Sequence, residues 1–206
     1  IPPIDFGRRL KYLLRYPHGC IEQVTSAAFP QLFLGDVVEL TEAAAKKAET
    51  NARHAFTGLT AFQLSDGGFS YWPGSVKASD WGTSYAGHFL LEAKEKGFGV
   101  SEAVLQNWKR YQRKAARRWS IAGSTNTYEI RQEQLLQAYR LFTLALAGDA
   151  EIGSMNRLRE RTDLLPEAKW RLAAAYALSG QKETARELVT NIPTQLEEYY
   201  DSRYTF

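Results

Sequence analysis

The stretch TYEIRQEQLLQAYRLFTLALAGDAEIGSMNRLRERTDLLPEAKWRLAAAYALSG, residues 127–180, decides the fold class. Its apolar residues recur at helical steps, so the spacing predicts helices over about 127–147, 150–163 and 166–179. Gly148 and Gly180 close two of them, and Pro166 takes a first-turn position, where its missing N–H is no loss. The turns Leu146-Ala147-Gly148 and Leu178-Ser179-Gly180 lie 32 residues apart, each ending one helix and opening another. That is the spacing of stacked helix pairs. Two architectures fit it: an open superhelical solenoid of the tetratricopeptide kind, or a closed ring of hairpins with helices alternating inside and outside.

Upstream the pattern continues. A first helix is expected over about residues 4–15, broken by Tyr16-Pro17-His18-Gly19, and a second from Cys20 to Leu34 with Gly35 as its stop. A long third, about 41–64, carries Ala48, Ala52, Ala55, Leu59 and Phe62 at steps of four and three. Helices near 81–96, 101–119 and 181–190 complete the set, with Ser101 as a cap and Gly97 as a stop. Residues 65–80 break the helical period in a turn-rich loop that carries conspicuous aromatics, and this loop favours the ring, where loops converge at one end. No convincing period-two run of β-branched residues occurs, so the chain is all-α.

Composition bounds the rest. With 44% hydrophobic and 24% charged residues the chain of 206 is an ordinary globular one, neither disordered nor fibrous. No apolar run approaches a bilayer span, so no direct membrane insertion is expected. The absence of a Gly/Ser linker or charged spacer makes residues 1–206 one domain. A formal charge of +3 does not point to nucleic acid. Lys109, Arg110, Arg113, Lys114, Arg117 and Arg118 fall on one helix face opposite Leu105, Trp108, Gln112, Ala115 and Trp119, which reads as a solvated outer surface without interleaved aromatics. Trp81, Trp108, Trp119 and Trp170 sit at helical spacing with other apolar residues and are assigned to the core. One cysteine and three histidines exclude a disulfide framework and any metal site built on several thiolates.

The single cysteine carries the chemistry. In Cys20-Ile21-Glu22-Gln23 a thiol and a carboxamide stand three residues apart, which on a helical turn places their β-carbons roughly 5–6 Å apart on one face. Pro17 and Gly19 mark a helix start, where unpaired amides and the positive dipole end stabilise a thiolate. Attack of the Cys20 sulfur on the Gln23 side-chain carbonyl, with loss of ammonia, would store an acyl group as an internal thioester. Such a bond needs a dry cover, for which Tyr16, Phe29 and the loop residues Tyr71 and Trp72 are candidates; Tyr71 and Trp72 also read as packing residues that fix the loop. By itself C-x-E-Q is a weak signal, and an isolated buried cysteine at a helix start is far more often structural.

The wider context goes further. Tyr16-Pro17-His18-Gly19-Cys20-Ile21-Glu22-Gln23-Val24-Thr25-Ser26-Ala27-Ala28-Phe29-Pro30 closely resembles the thioester segment of bacterial alpha-2-macroglobulins, and Asp66-Gly67-Gly68-Phe69-Ser70-Tyr71-Trp72-Pro73 resembles the Gly-Gly-Phe-x-Tyr-Trp signature of the same domain. The resemblance implies an α/α toroid of helical hairpins, incomplete at the C-terminus of these 206 residues. It implies a single-use protease trap rather than an enzyme: a protease cleaves a bait region elsewhere in the parent chain, a conformational change exposes the thioester, and a lysine amine of the protease captures the acyl group of Gln23 while Cys20 leaves as thiolate. Gly19 and Glu22 belong to the motif. Target proteases and other domains of the parent are the implied partners, no cofactor or metal is called for, and the implied location is the bacterial periplasm or envelope, or outside the cell.

In the complement branch of that superfamily a histidine near the aromatic loop directs the acyl group to hydroxyls. Residues 65–87 here contain none, so amines are the expected targets. His54 and His88 are expected to be ordinary helix residues, whereas His18 either stabilises the thiolate or only serves the turn. Two rival classes share the helical pattern. One is a toroid enzyme of the prenyltransferase or terpene-cyclase type, for which the zinc set and the Asp-rich motif are missing, and the other is a helical-repeat binding module with an unreactive cysteine.

Overall fold

The computed structural model describes residues 13, 14, 16, 18–121, 125–190 and 192; the helix expected over 4–15 lies outside them except at Leu13 and Leu14, as does the C-terminal segment beyond Ile192. The described residues form eight helices of two turns or more: α1 (Ile21–Ala28), α2 (Glu42–Leu59), α3 (Asp80–Glu95), α4 (Glu102–Arg118), α5 (Thr127–Leu146), α6 (Ile152–Arg159), α7 (Pro166–Leu178) and α8 (Lys182–Val189). No strand occurs among them, only two isolated bridges, Gln63 with Phe69 and Ser70 with Ala78.

Which helix touches which sets the architecture. The odd-numbered helices pack in series, α1 on α3, α3 on α5 and α5 on α7. Each even-numbered helix lies against its odd-numbered neighbours, as α6 does against α5 and α7. Successive helices therefore alternate between two layers, as a ring of helical hairpins requires. Two apolar clusters fill the space between layers. The first joins α1 through α4 around Ile21, Leu59, Phe69, Phe89, Leu105 and Trp108, and the second joins α5 through α8 around Leu141, Leu144, Met155, Leu158, Leu172 and Tyr176. Full burial of each such side chain contributes about 1.5–3 kcal/mol.

Between the clusters lies a polar belt. The buried Arg140 donates to Asp80 at 2.7 Å, to Gln137 at 2.7 Å and to Gln112 at 3.2 Å, and Gln112 in turn donates to Ser84 at 2.9 Å. One guanidinium thus ties α3, α4 and α5 together with its donors satisfied by planar acceptors. Caps fall where the sequence places short polar residues: Thr41, Ser79 and Asn126 accept from the first-turn amides of α2, α3 and α5. Ser101 holds the N-cap position of α4 without a side-chain hydrogen bond.

Three expectations need correction. The helix expected from Cys20 to Leu34 ends at Ala28, becomes a 3₁₀ turn over Phe29–Leu32 and resumes as a single turn, Leu34–Val37, which contains Gly35 instead of stopping at it. Pro30 is the cause, since its ring and missing N–H interrupt the i→i−4 ladder. The long third helix stops at Leu59, with Thr60–Phe62 as a 3₁₀ turn. Trp170 is not core but 47% exposed. The buried stripe of α7 runs through Ala168, Leu172, Ala175 and Tyr176, and position 170 lies opposite residues 168 and 172 on a 3.6-residue period. The basic face of α4 is outward as expected, yet it is also stitched down: Arg117 meets Glu151 at 2.7 Å, Arg113 meets Asp149 at 3.3 Å, and Lys109 Nζ donates to the Ala147 carbonyl at 2.8 Å.

Candidate functional site

Helix α1 begins with a reciprocal cap. Cys20 is the N-cap residue in an extended conformation, its side chain faces the backbone N–H of Gln23, and Gln23 Oε1 accepts the Cys20 N–H at 3.0 Å. The i, i+3 spacing makes this possible, because the N3 side chain of a helix folds back onto the N-cap amide. Thiol and carboxamide are therefore held on the same turn. The Cys20 N–H also points at the acyl oxygen, the atom on which negative charge develops when the carbonyl is attacked, as an oxyanion-hole donor does. Cys20 itself is buried, with 4% of its surface exposed, whereas Gln23 is exposed.

Gly19 is the residue that admits this fold-back. Its φ is +108°, which side-chain-bearing residues rarely adopt, and a Cβ at this position would stand 2.1 Å from Gln23 Oε1 and 3.0 Å from Gln23 Cδ. Any side chain at 19 would displace the carboxamide from the Cys20 amide.

The aromatic loop is built onto the same turn. Tyr71 accepts the Ile21 N–H on its carbonyl at 3.0 Å, satisfying one of the amides a helix start leaves open. Its hydroxyl donates to Glu22 Oε2 at 3.2 Å. The sulfur first, then burial and Glu22, push the Tyr71 phenol up to about 12, so it stays protonated and acts as a donor. Behind Tyr71 the loop is pinned by Thr83 of α3. Thr83 Oγ1 accepts the Phe69 N–H at 2.9 Å and donates to the Phe69 carbonyl at 3.2 Å, and Ser79 N–H reaches the same carbonyl at 2.8 Å. Phe69 is wholly buried under α1 and α3, so the paired glycines before it are packing requirements: a Cβ on Gly67 would stand 2.1 Å from the Asn107 carbonyl oxygen.

The candidate cover residues divide. Tyr71 stands over the Cys20 turn, and Trp72, 52% exposed, meets the Tyr71 ring edge-on at 5.8 Å. Tyr16 is 58% exposed and packs edge-on against His54 of α2 at 5.3 Å. The ring contacts of Phe29 lie elsewhere, in a cluster with Phe33, Tyr85, His88 and Phe89. His18 is exposed, with Nδ1 3.0 Å from the Tyr16 carbonyl, a bond within the turn that has Nδ1–H as donor. His88 lies in α3, half-buried, with Nδ1 3.0 Å from Tyr139 Oη and Nε2 3.5 Å from Glu92. Burial holds its pKa below the ordinary histidine value against the opposing pull of Glu92.

What the sequence reading missed is the polar side of Tyr71. It weighed the residue as an aromatic cover and left the hydroxyl without a role, and no spacing rule links residue 71 to residues 20 and 22. Among the described residues no group of three His, Cys, Asp or Glu side chains stands close enough to hold a metal ion, and no helix is long and apolar enough to cross a membrane.

An α/α ring whose first inner helix opens on a facing cysteine and glutamine defines a class: helical toroid domains with a Cys–Gln pair at a loop-covered helix start. The family model for the A-macroglobulin TED domain matches residues 5–121, more than half of the chain, and the chain belongs to that family, the thioester domain of the alpha-2-macroglobulins, a family of protease traps. An alpha-2-macroglobulin from Xylella fastidiosa (strain Temecula1) is 32% identical over 169 residues, covering 77% of this chain and 10% of the relative. The structure of Salmonella alpha-2-macroglobulin reacted with methylamine superimposes with a TM-score of 0.77 at 25% identity, covering 97% of this chain and 14% of that one. Trypsin-activated alpha-2-macroglobulin from Escherichia coli shares the fold, with a TM-score of 0.72 at 23% identity over 85% of this chain and 13% of that one. The chain thus spans about a tenth of the length of the curated relatives it matches.

Proposed function

We propose that residues 1–206 form one reactive domain of a bacterial protease trap, with Cys20 and Gln23 joined as an internal thioester. The observation that carries this reading is the fold-back of Gln23 onto the Cys20 turn, with Oε1 on the Cys20 N–H at 3.0 Å and Gly19 clearing the way. To form the bond, the Cys20 sulfur attacks Gln23 Cδ, the Cδ–N bond breaks and ammonia leaves. To fire, a lysine amine of the attacking protease forms a bond to Cδ, the Cδ–Sγ bond breaks with its electron pair going to sulfur, and the amine gives up a proton. The product is an isopeptide link through Gln23 and a free Cys20 thiol. Nothing regenerates the thioester, so the chain acts once and is not an enzyme.

Because Gln23 is exposed within the domain, protection of the acyl carbon from water falls partly to other domains of the parent chain, and bait cleavage is what withdraws them. Tyr71 and Trp72 supply the cover on the side of the sulfur. The methylamine treatment of the Salmonella relative supports an amine-reactive acyl group, and the place of work is the bacterial periplasm, envelope or exterior.

Intact mass spectrometry of the full-length protein tests the reading. The native protein is expected to be lighter than its sequence by one ammonia, and methylamine to abolish the deficit while releasing one thiol. Cys20→Ala should fold and never conjugate a protease. Conjugation by that variant would sink the reading.

A further inference from the structure

The six basic residues of α4 stand in two rows, each at steps of four along the helix. In one row Lys109 Nζ donates to the Ala147 carbonyl at 2.8 Å, Arg113 meets Asp149 at 3.3 Å and Arg117 meets Glu151 at 2.7 Å. That row fastens α4 to the turn between α5 and α6. The other row, Arg110, Lys114 and Arg118, lies about 100° further round the helix and is exposed. Arg110 reaches only Asn107 of its own helix, at 2.9 Å, and among the described residues the side chains of Lys114 and Arg118 have no hydrogen-bond or ion-pair partner. One acidic side chain, Asp66, shares a shallow cleft with Lys114 and Arg118, and its carboxylate already accepts the Gly68 N–H at 3.0 Å.

The second row does nothing for the fold, since like charges four apart on a helix repel and destabilise it. It also sits where the positive charge of the chain is gathered. Helix α4 carries six basic residues and one acidic, whereas the rest of the chain carries twenty basic and twenty-two acidic, so this one helix is the source of the net +3. The layer to which α4 belongs shares the bias: the even-numbered helices hold thirteen basic and five acidic residues, the odd-numbered five and seven. Next to α4, helix α6 adds Arg157 and Arg159 and no acidic residue, and Arg157 donates to the Ala116 and Arg117 carbonyls at 2.9 and 3.1 Å, which offsets the negative end of the α4 dipole.

The chemistry of the row selects its partner. Among the described residues no large apolar or aromatic side chain is exposed on α4 or α6. The anchors on which a protein interface concentrates its energy are therefore missing, and so are platforms for stacking bases. The row runs straight for about 12 Å over an open surface, so it offers separate cations to an extended anionic sheet and not a closed seat to one small anion. A layer of anionic headgroups presents phosphates over that whole length and attracts each lysine or arginine near it without apolar contact. We propose that Arg110, Lys114 and Arg118 dock this domain peripherally on an anionic phospholipid surface, with nothing inserted. The proposal stands apart from the thioester reading and uses none of its residues.

The test is co-sedimentation of the full-length protein with vesicles of phosphatidylcholine containing about a third phosphatidylglycerol. The triple variant Arg110→Gln, Lys114→Gln, Arg118→Gln is expected to lose about a hundredfold in partition, at about fivefold per residue. A control triple, Lys46→Gln, Lys47→Gln, Lys77→Gln, removes the same charge from exposed positions on α2 and the aromatic loop. It should stay within about threefold of the parent, because charges beyond about 10 Å are screened. Equal binding by the first triple, equal loss in both triples, or no vesicle binding by the parent overturns the proposal. So does retention on poly-glutamate or duplex DNA without vesicle binding, which makes an acidic protein or a nucleic acid the partner. Displacement from vesicles by millimolar inorganic phosphate at constant ionic strength also overturns it, since that marks a discrete phosphate seat. Should the triple variant fail to fold, Lys114→Gln alone decides: a loss of about fivefold supports the row and unchanged binding refutes it.

Discussion

Replacing Gly19 by alanine attacks the site at the point of closest approach. The structure separates two costs. Holding a residue with a Cβ at φ +108° costs about 1–3 kcal/mol, because that backbone region is sparsely populated for all but glycine. The new Cβ would also stand 2.1 Å from Gln23 Oε1, far inside van der Waals contact, so the carboxamide must swing away and give up its 3.0 Å bond to the Cys20 N–H. Loss of that bond costs about 0.5–1.5 kcal/mol. Together they predict a destabilisation of about 1.5–4.5 kcal/mol by urea unfolding and, in the full-length protein, an intact Gln23 carboxamide with no ammonia deficit by intact mass, since the carboxamide is displaced from the Cys20 turn. Gly58→Ala is the control: this glycine sits inside α2 with no atom within 4 Å of an added Cβ, so the substitution should stabilise by about 0.5–1 kcal/mol. A Gly19→Ala protein as stable as the parent, with a normal ammonia deficit, would falsify the geometric account of the motif.

Two further outcomes follow from the clamp and from the half-buried histidine. Thr83→Val keeps the shape of a fully buried side chain but leaves the Phe69 N–H without its acceptor; a loss of about 1–3 kcal/mol is expected, with faster hydrogen exchange at the Phe69 amide, and an unchanged exchange rate would show that the clamp is not what holds the loop. For His88, burial lowers the folded-state pKa below its unfolded value, so the unfolded chain binds the proton more readily. Its contribution is therefore intact above about pH 6.5 and is lost as pH falls from there toward the folded pKa, by at most about 1.4 kcal/mol per pH unit. Thermal melts at pH 7 and pH 5 should differ more for the parent than for His88→Phe, and equal differences would remove His88 as the cause.

Much of the fold was legible because its determinants are local. The helical period, the first-turn Pro166 and the stops Gly97, Gly148 and Gly180 act within a turn or two of themselves, so helices α3 to α8 begin and end within a few residues of their expected bounds. The weakest reading, the helix over 20–34, failed where a local rule was under-weighted: Pro30 breaks it before Gly35 is reached. Trp170 failed differently. Hydrophobicity alone assigned it inward, while the phase of the α7 stripe, set by Ala168, Leu172 and Tyr176, turns it out.

The candidate site divides along the same line. Cys20 and Gln23 are three residues apart, so the helix period by itself brings them onto one turn, and Gly19 beside them carries the conformational freedom that the turn needs. No local rule reaches from Glu22 to Tyr71, 49 residues later, or from Phe69 to Thr83. Those contacts exist only once α3 has packed against α1 and drawn the loop across the helix start. Sequence alone therefore determined the pairing of Cys20 with Gln23 on one turn and the alternation of helices, because both are encoded in spacings of a few residues. The tertiary structure decided what stands over that turn, because a hydroxyl supplied by a distant loop is placed by packing and not by periodicity.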